Sequence, residues 1–185
     1  MALITWIIVG VIAVIVIIFI YFYNRFASLI NQIENSLAQI DVQLKKRADL
    51  VPNLVDAVKG YMAHEKSIFT EVNNARKALV GAKDIASKVK AGDKLQSALG
   101  SLFAIAENYP NVKANENFLQ LQTELSSIED KIAYARQYYN DGIMSYNVTT
   151  TTVPGRWFAS LYGFKKRDYL QIPEANKAVP KLKFD

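Results

Sequence analysis

The sequence predicts an all-α protein in which an N-terminal transmembrane helix continues into an antiparallel helical bundle with coiled-coil-like heptad packing. Three observations carry this. An uncharged apolar run occupies the N-terminus, apolar residues recur every 3.5 positions through most of the remaining chain, and only 8 Gly and 5 Pro among 185 residues interrupt long helices. The organisation is an anchor at 1–24, a helical-bundle body at 25–150 and a basic, aromatic tail at 151–185.

The anchor spans residues 3–23, from Leu3 to Tyr23, without a charged side chain. At roughly 1.5 Å per residue it reaches about 30 Å, the thickness of a bilayer's hydrocarbon core. A cleaved signal peptide needs a basic start, a shorter apolar run and small residues at its cleavage site, whereas this run ends in Phe19, Tyr21, Phe22 and Tyr23. The segment is therefore expected to stay on the mature protein. Trp6 at one end and Tyr21 and Tyr23 at the other stand where amphipathic rings prefer the headgroup zone.

Orientation rests on the positive-inside rule. No Lys or Arg precedes the span, and Arg25 follows it closely, with Lys45, Lys46 and Arg47 farther along. This favours an N-terminus outside and a cytoplasmic body; the alternative is a signal anchor with the body on the far side. The formal charge of +5 is uneven: residues 1–150 hold 15 Lys and Arg against 14 Asp and Glu, and the tail holds 7 against 3. The basic character belongs to the tail, which argues against nucleic acid along the body and toward an anionic surface met by the C-terminal region.

In the body, steps of alternately four and three residues from Phe26 land on Ile30, Ile33, Leu37, Ile40, Leu44, Arg47, Val51, Leu54, Val58, Tyr61, Glu65, Ile68, Val72, Ala75 and Leu79. The phase passes unbroken through Pro52. Two routes are open: a helix kinked at Pro52 that runs to Leu79 as one arm of about 80 Å, or a reversal at Arg47–Asp49 with Asp49 capping a new helix. The unbroken phase favours the kinked arm. Gly81–Asp84 and Gly92-Asp93 read as further punctuation, Asp93 and Gln96 forming a capping box before Leu95, Leu99, Leu102 and Ala106. That helix must stop by Asn108, because Tyr109 precedes Pro110. Asn115 then caps a long final helix with the seam Phe118, Leu121, Leu125, Ile128, Ile132, Ala135, Tyr139, Gly142 and Tyr146. Chain direction alternates at each turn, as in a bundle.

Several short stretches carry a resemblance: Arg47-Ala48-Asp49-Leu50-Val51-Pro52-Asn53-Leu54; Tyr109-Pro110 with Lys113-Ala114-Asn115 and Asn117-Phe118; Ala135-Arg136; Tyr139-Asn140; Tyr146-Asn147; and Gly163-Phe164. In order and spacing, over nearly the whole chain, they resemble the LemA family of bacterial single-pass membrane proteins. The resemblance implies an N-terminal transmembrane helix with its N-terminus outside and a helical-bundle body. It supplies no reaction.

The residues point away from catalysis. His64 is the single histidine and the chain has no Cys, so neither a zinc site, a disulfide nor a thiol nucleophile can be built. His64, beside Glu65 on a polar turn, reads as a solvated surface side chain. No Gly-rich phosphate loop, HExxH pair or GxSxG elbow occurs. The expectation is no enzyme, no cofactor, no metal and no small-molecule substrate.

Arg47 and Glu65 interrupt the apolar seam, where an unpaired buried charge costs several kcal/mol. Each is expected either to meet a polar partner from the stripe Arg136, Asn140 and Asn147, or to reach solvent at the edge of the seam. The tail joins Trp157, Phe158, Leu161, Tyr162, Phe164, Tyr169 and Leu170 to Arg156, Lys165, Lys166 and Arg167. That mixture suits a bilayer interface, and equally a cap on the open end of the bundle. The functional expectation is a membrane-anchored scaffold whose partners are the bilayer, further copies of itself and a membrane protein, and which organises or shapes the membrane. A regulatory adaptor or sensor for another membrane protein, such as a protease, is the alternative.

Overall fold

Helix α1 covers Ala2–Val58, 57 residues without a break, in the computed structural model, which describes residues 1–170. Five further helices follow among these residues: α2 at Lys66–Gly81, α3 at Ile85–Ala106, α4 at Pro110–Lys113, α5 at Glu116–Thr151 and α6 at Gly155–Tyr162. Residues 171–185, the end of the predicted tail, lie outside the described part. The chain packs as two units, Met1–Ser36 with Gln137–Tyr169, and Leu37–Arg136 with Leu170.

In the first unit α1 contributes its apolar run, whose most hydrophobic window is not buried by protein at all. This is the surface a bilayer covers, and the protein is membrane-anchored through it. Beyond Tyr23 the same helix becomes a protein core. Phe26, Leu29 and Ile33 pack with Ile143, Tyr146 and Ala159 from α5 and α6. The paired positions run in opposite order, Phe26 against Tyr146 and Ile33 against Gly142, so α1 and α5 are antiparallel in this unit. Gly142 permits the approach: a Cβ there would lie 3.1 Å from Cγ1 of Ile33.

The second unit is a four-helix bundle. Val51, Leu54 and Val58 of α1, Val72 and Leu79 of α2, Leu95, Leu99 and Leu102 of α3, and Leu125, Ile128 and Ile132 of α5 form its buried interior. The helix α1 does continue through Pro52, the route the unbroken phase favours, but it stops at Val58 and does not run on to Leu79. Lys59 to Glu65 turn the chain, with the amides of Tyr61 and Met62 both bonded to the Val58 carbonyl. Met62 is fully buried in place of Tyr61, which is exposed. Heptad phase could not reveal this turn, because a helix that reverses and packs back buries every 3.5th residue just as a straight one does.

Gly92-Asp93, expected as punctuation, is not a boundary. The α3 start is Asp84, whose Oδ1 accepts the Ser87 amide at 2.9 Å. Gly92 is buried inside the helix, where α3 crosses α1, and a Cβ there would meet Cδ2 of Leu44 at 2.5 Å. Glycine is present for closeness, not for a turn. The α5 start agrees with the sequence reading: Oδ1 of Asn115 accepts the Phe118 amide at 3.1 Å.

Pro52 leaves a debt in α1, since it has no N–H to give to the carbonyl of Ala48. Nε of Arg76 on α2 donates to that carbonyl at 2.8 Å. The orphaned acceptor is thus satisfied from a neighbouring helix, and α1 continues across the proline.

Candidate functional site: the membrane-proximal aromatic cluster and the buried charge cluster

Two groups of side chains stand out, one in each unit. In the first, α6 docks beside the end of the apolar run. Phe158 stacks on Phe22 with ring centroids 4.8 Å apart and meets Phe19 edge-on at 5.8 Å. Tyr162 meets Phe19 at 5.2 Å and Tyr23 at 5.7 Å. Each such pair contributes about 0.5–1.5 kcal/mol beyond simple burial. That matters because eight residues alone make a marginal helix. Gly163, with φ 74°, ends α6 in the left-handed region, and the amides of Phe164 and Gly163 return to the carbonyls of Ala159 and Ser160. Phe164 then inserts between Phe26 and Tyr146.

The segment after α6 is held by Asn147. Its Nδ2 donates to the Arg167 carbonyl at 2.9 Å and its Oδ1 accepts the Arg167 amide at 2.9 Å, while the Arg167 guanidinium lies over the Tyr146 ring at 5.1 Å. The Tyr139 hydroxyl donates to the Asp168 carbonyl at 3.4 Å. Burial moves that phenol's pKa upward, with Arg167 opposing. Of the expected tail residues, Phe158 faces the protein, Arg167 is half-buried, and Trp157, Lys165 and Lys166 are exposed. Trp6, Tyr21 and Tyr23 are exposed at the two ends of the apolar run.

The second unit holds the charges. Arg47 is 1% exposed, pairs with Glu129 on α5 and donates to the Gly92 carbonyl at 3.2 Å. Beside it Arg136 pairs with Asp93 at 2.6 Å. Two cations and two anions thus share the junction of α1, α3 and α5. Burial chiefly, then repulsion from Arg136, pulls the Arg47 guanidinium down to about 10 against the pull of Asp93, which leaves it charged at neutral pH.

Arg47, Glu65, Arg136 and Asn147 take partners other than those expected within the stripe. Arg47 takes Glu129, and Glu65 accepts from the Tyr109 hydroxyl at 2.8 Å. That bond, more than desolvation, pushes the Tyr109 phenol pKa up. Arg136 takes Asp93, Asn147 binds backbone, and Asn140 is half-buried on α5. The missed partners were visible only obliquely: Glu129 and Arg136 are seven residues apart, each directly after a seam residue, Ile128 and Ala135, so they share one edge of α5. His64 is exposed in the turn before α2.

The LemA family model matches residues 36–184. This chain belongs to the LemA family. Magnetosome protein MamQ of Magnetospirillum gryphiswaldense is 30% identical over 173 residues, covering 80% of this chain and 64% of the relative. Magnetosome protein MamQ 2 of Paramagnetospirillum magneticum is 26% identical over 175 residues, with the same shares of 80% and 64%. Protein LemA of Metamycoplasma hominis is 30% identical over 118 residues, covering 63% of this chain and 54% of the relative. The chain thus spans less than two thirds of the length of these relatives. In this LemA-family chain each stretch that carried the resemblance contributes a structural contact: Arg47 and Arg136 in the charge cluster, Ala48 and Pro52 at the Arg76 bond, Tyr109 on Glu65, Asn115 at the α5 cap, Tyr139 on the Asp168 carbonyl, and Tyr146, Asn147 and Phe164 around α6.

Proposed function

We propose that this LemA-family protein is a membrane-anchored helical scaffold that self-associates or engages a membrane protein, and that it organises the bilayer without catalysing a reaction. The observation that carries the reading is α1 itself: one unbroken helix supplies both the apolar, uncovered run and the interior of both packed units. An anchor on a flexible tether would not need this. Exposed apolar side chains supply contact surface for assembly. Tyr134 and Tyr138, and Met144 and Val148, are pairs four residues apart on α5, each half or more exposed, and aromatic and Met side chains are enriched at interfaces. The MamQ relatives are named as magnetosome proteins, and neither name states a reaction, which suits a role other than catalysis.

Particle size of the full chain in mild detergent tests the proposal. A large, uniform particle is expected, shrinking when Tyr134→Lys and Tyr138→Lys are combined. A monomer at all concentrations overturns self-association and favours the adaptor reading.

A further inference from the structure

Helix α6 has two faces of different fate. Gly155, Phe158, Ala159 and Tyr162 face protein, and the rings of Phe158 and Tyr162 rest on Phe19, Phe22 and Tyr23 at the end of the apolar run. The Tyr162 hydroxyl reaches the Phe19 carbonyl at 3.5 Å. On the other face Trp157 and Leu161, four residues apart, are each 66% exposed. Arg156 precedes them and Lys165 and Lys166 follow, all exposed. The depth of this helix is fixed by its neighbour: a ring packed on Phe19 and Phe22 sits where hydrocarbon gives way to headgroups, since Phe19 belongs to the span and Arg25 lies beyond it.

From this juxtaposition we infer that the outer face of α6 is an anionic-phospholipid site at the membrane surface. Trp157 and Leu161 enter the boundary between acyl chains and headgroups, and Arg156, Lys165 and Lys166 bind headgroup phosphates. In water the Trp157–Leu161 face would be an uncovered apolar patch beside three cations, whereas at the interface both chemistries are met at once. The Gly155 backbone keeps the helix at this depth, because a Cβ there would fall 2.2 Å from the Thr149 carbonyl oxygen and 3.3 Å from the Phe22 ring, so the close approach of α6 needs glycine. The inference rests on membrane anchoring alone and holds for a monomer as for an assembly.

The chain has two tryptophans, so Trp6→Phe leaves Trp157 as the sole tryptophan, excited at the red edge where the tyrosines do not absorb. The full-length protein is placed singly in nanodiscs of phosphatidylcholine with or without phosphatidylglycerol, and Trp157 emission is quenched either by lipid brominated high on the acyl chain or by aqueous iodide. Brominated phosphatidylglycerol is expected to quench severalfold more than brominated phosphatidylcholine, with iodide weak. Arg156→Gln, Lys165→Gln and Lys166→Gln together should abolish the preference, while leaving helicity by circular dichroism unchanged. Strong iodide quenching with no lipid quenching overturns the inference, because the face is then wet. Shielding from both quenchers also overturns it, because protein then covers the face. Equal quenching by both lipids, indifferent to the triple substitution, overturns the headgroup assignment.

Discussion

Arg47 stands among the largest fully buried side chains, and its pairing with Glu129 is lopsided: the cation is sealed in while the carboxylate is 38% exposed. The two ends of the pair should therefore not be equivalent. Glu129→Ala leaves a buried guanidinium with only the Gly92 carbonyl and the field of Asp93, and is expected to destabilise by about 2–3 kcal/mol. Arg47→Met fills most of the volume and lets Glu129 hydrate, and should cost under about 1.5 kcal/mol. Denaturant unfolding of the two variants in one detergent decides, and the opposite ranking would show that the pair is not the determinant. The sequence singled out Arg47 because it interrupts a seam, and that much was legible. Its partner was not, because Glu129 flanks a seam without interrupting one, and nothing in the α5 pattern says which helix its edge will face. Asn147 shows the same limit: its type and helix position mark a polar stripe, but its backbone partner at Arg167 is chosen by the fold of the segment after α6.

At the scale of elements, the interest lies in Pro52, whose cost in a helix interior is about 3 kcal/mol. The Arg76 bond to Ala48 offsets part of it, since a charged donor to an otherwise orphaned carbonyl contributes about 1.5–3 kcal/mol. The two residues should be coupled. Arg76→Ala is expected to destabilise by about 1–2 kcal/mol in the native background and by far less when Pro52→Ala restores the intrahelical amide, a double-mutant cycle read by thermal unfolding. Equal losses in both backgrounds would defeat this account. The apolar run, the Asn115 cap, the stop before Pro110 and the α5 seam were all readable, because each depends on residues within a turn or two. The reversal at residues 59–65 and the passage of α3 through Gly92 were not. A continuing heptad phase is blind to direction, and a glycine that admits Leu44 looks, in sequence, like one that ends a helix. For α6 the difficulty was length. Eight residues are too few to show a period, and the face it buries is set by Phe19 and Phe22, more than 130 residues earlier.

For the whole molecule, we propose the orientation expected from sequence, with the N-terminus outside and the body in the cytoplasm. Arg25 follows the span directly, and the docking of α6 on Phe19, Phe22 and Tyr23 brings Arg156, Lys165 and Lys166 to the same end of it. Positive charge beside a span favours the cytoplasmic side. A phosphatase or fluorescent reporter fused after Asp185 should accordingly report a cytoplasmic C-terminus; activity confined to the opposite side would reverse the proposed orientation. The pairing of α1 with α6 also orders events during synthesis. The apolar run leaves the ribosome before α6, and Tyr162, which closes on Phe19, is 143 residues behind that residue. At about 5–20 residues per second, roughly 7–30 s pass before that partner exists. Until then Phe22 is without the Phe158 ring that later stacks on it, and an apolar phase such as lipid is the favourable surrounding for that face.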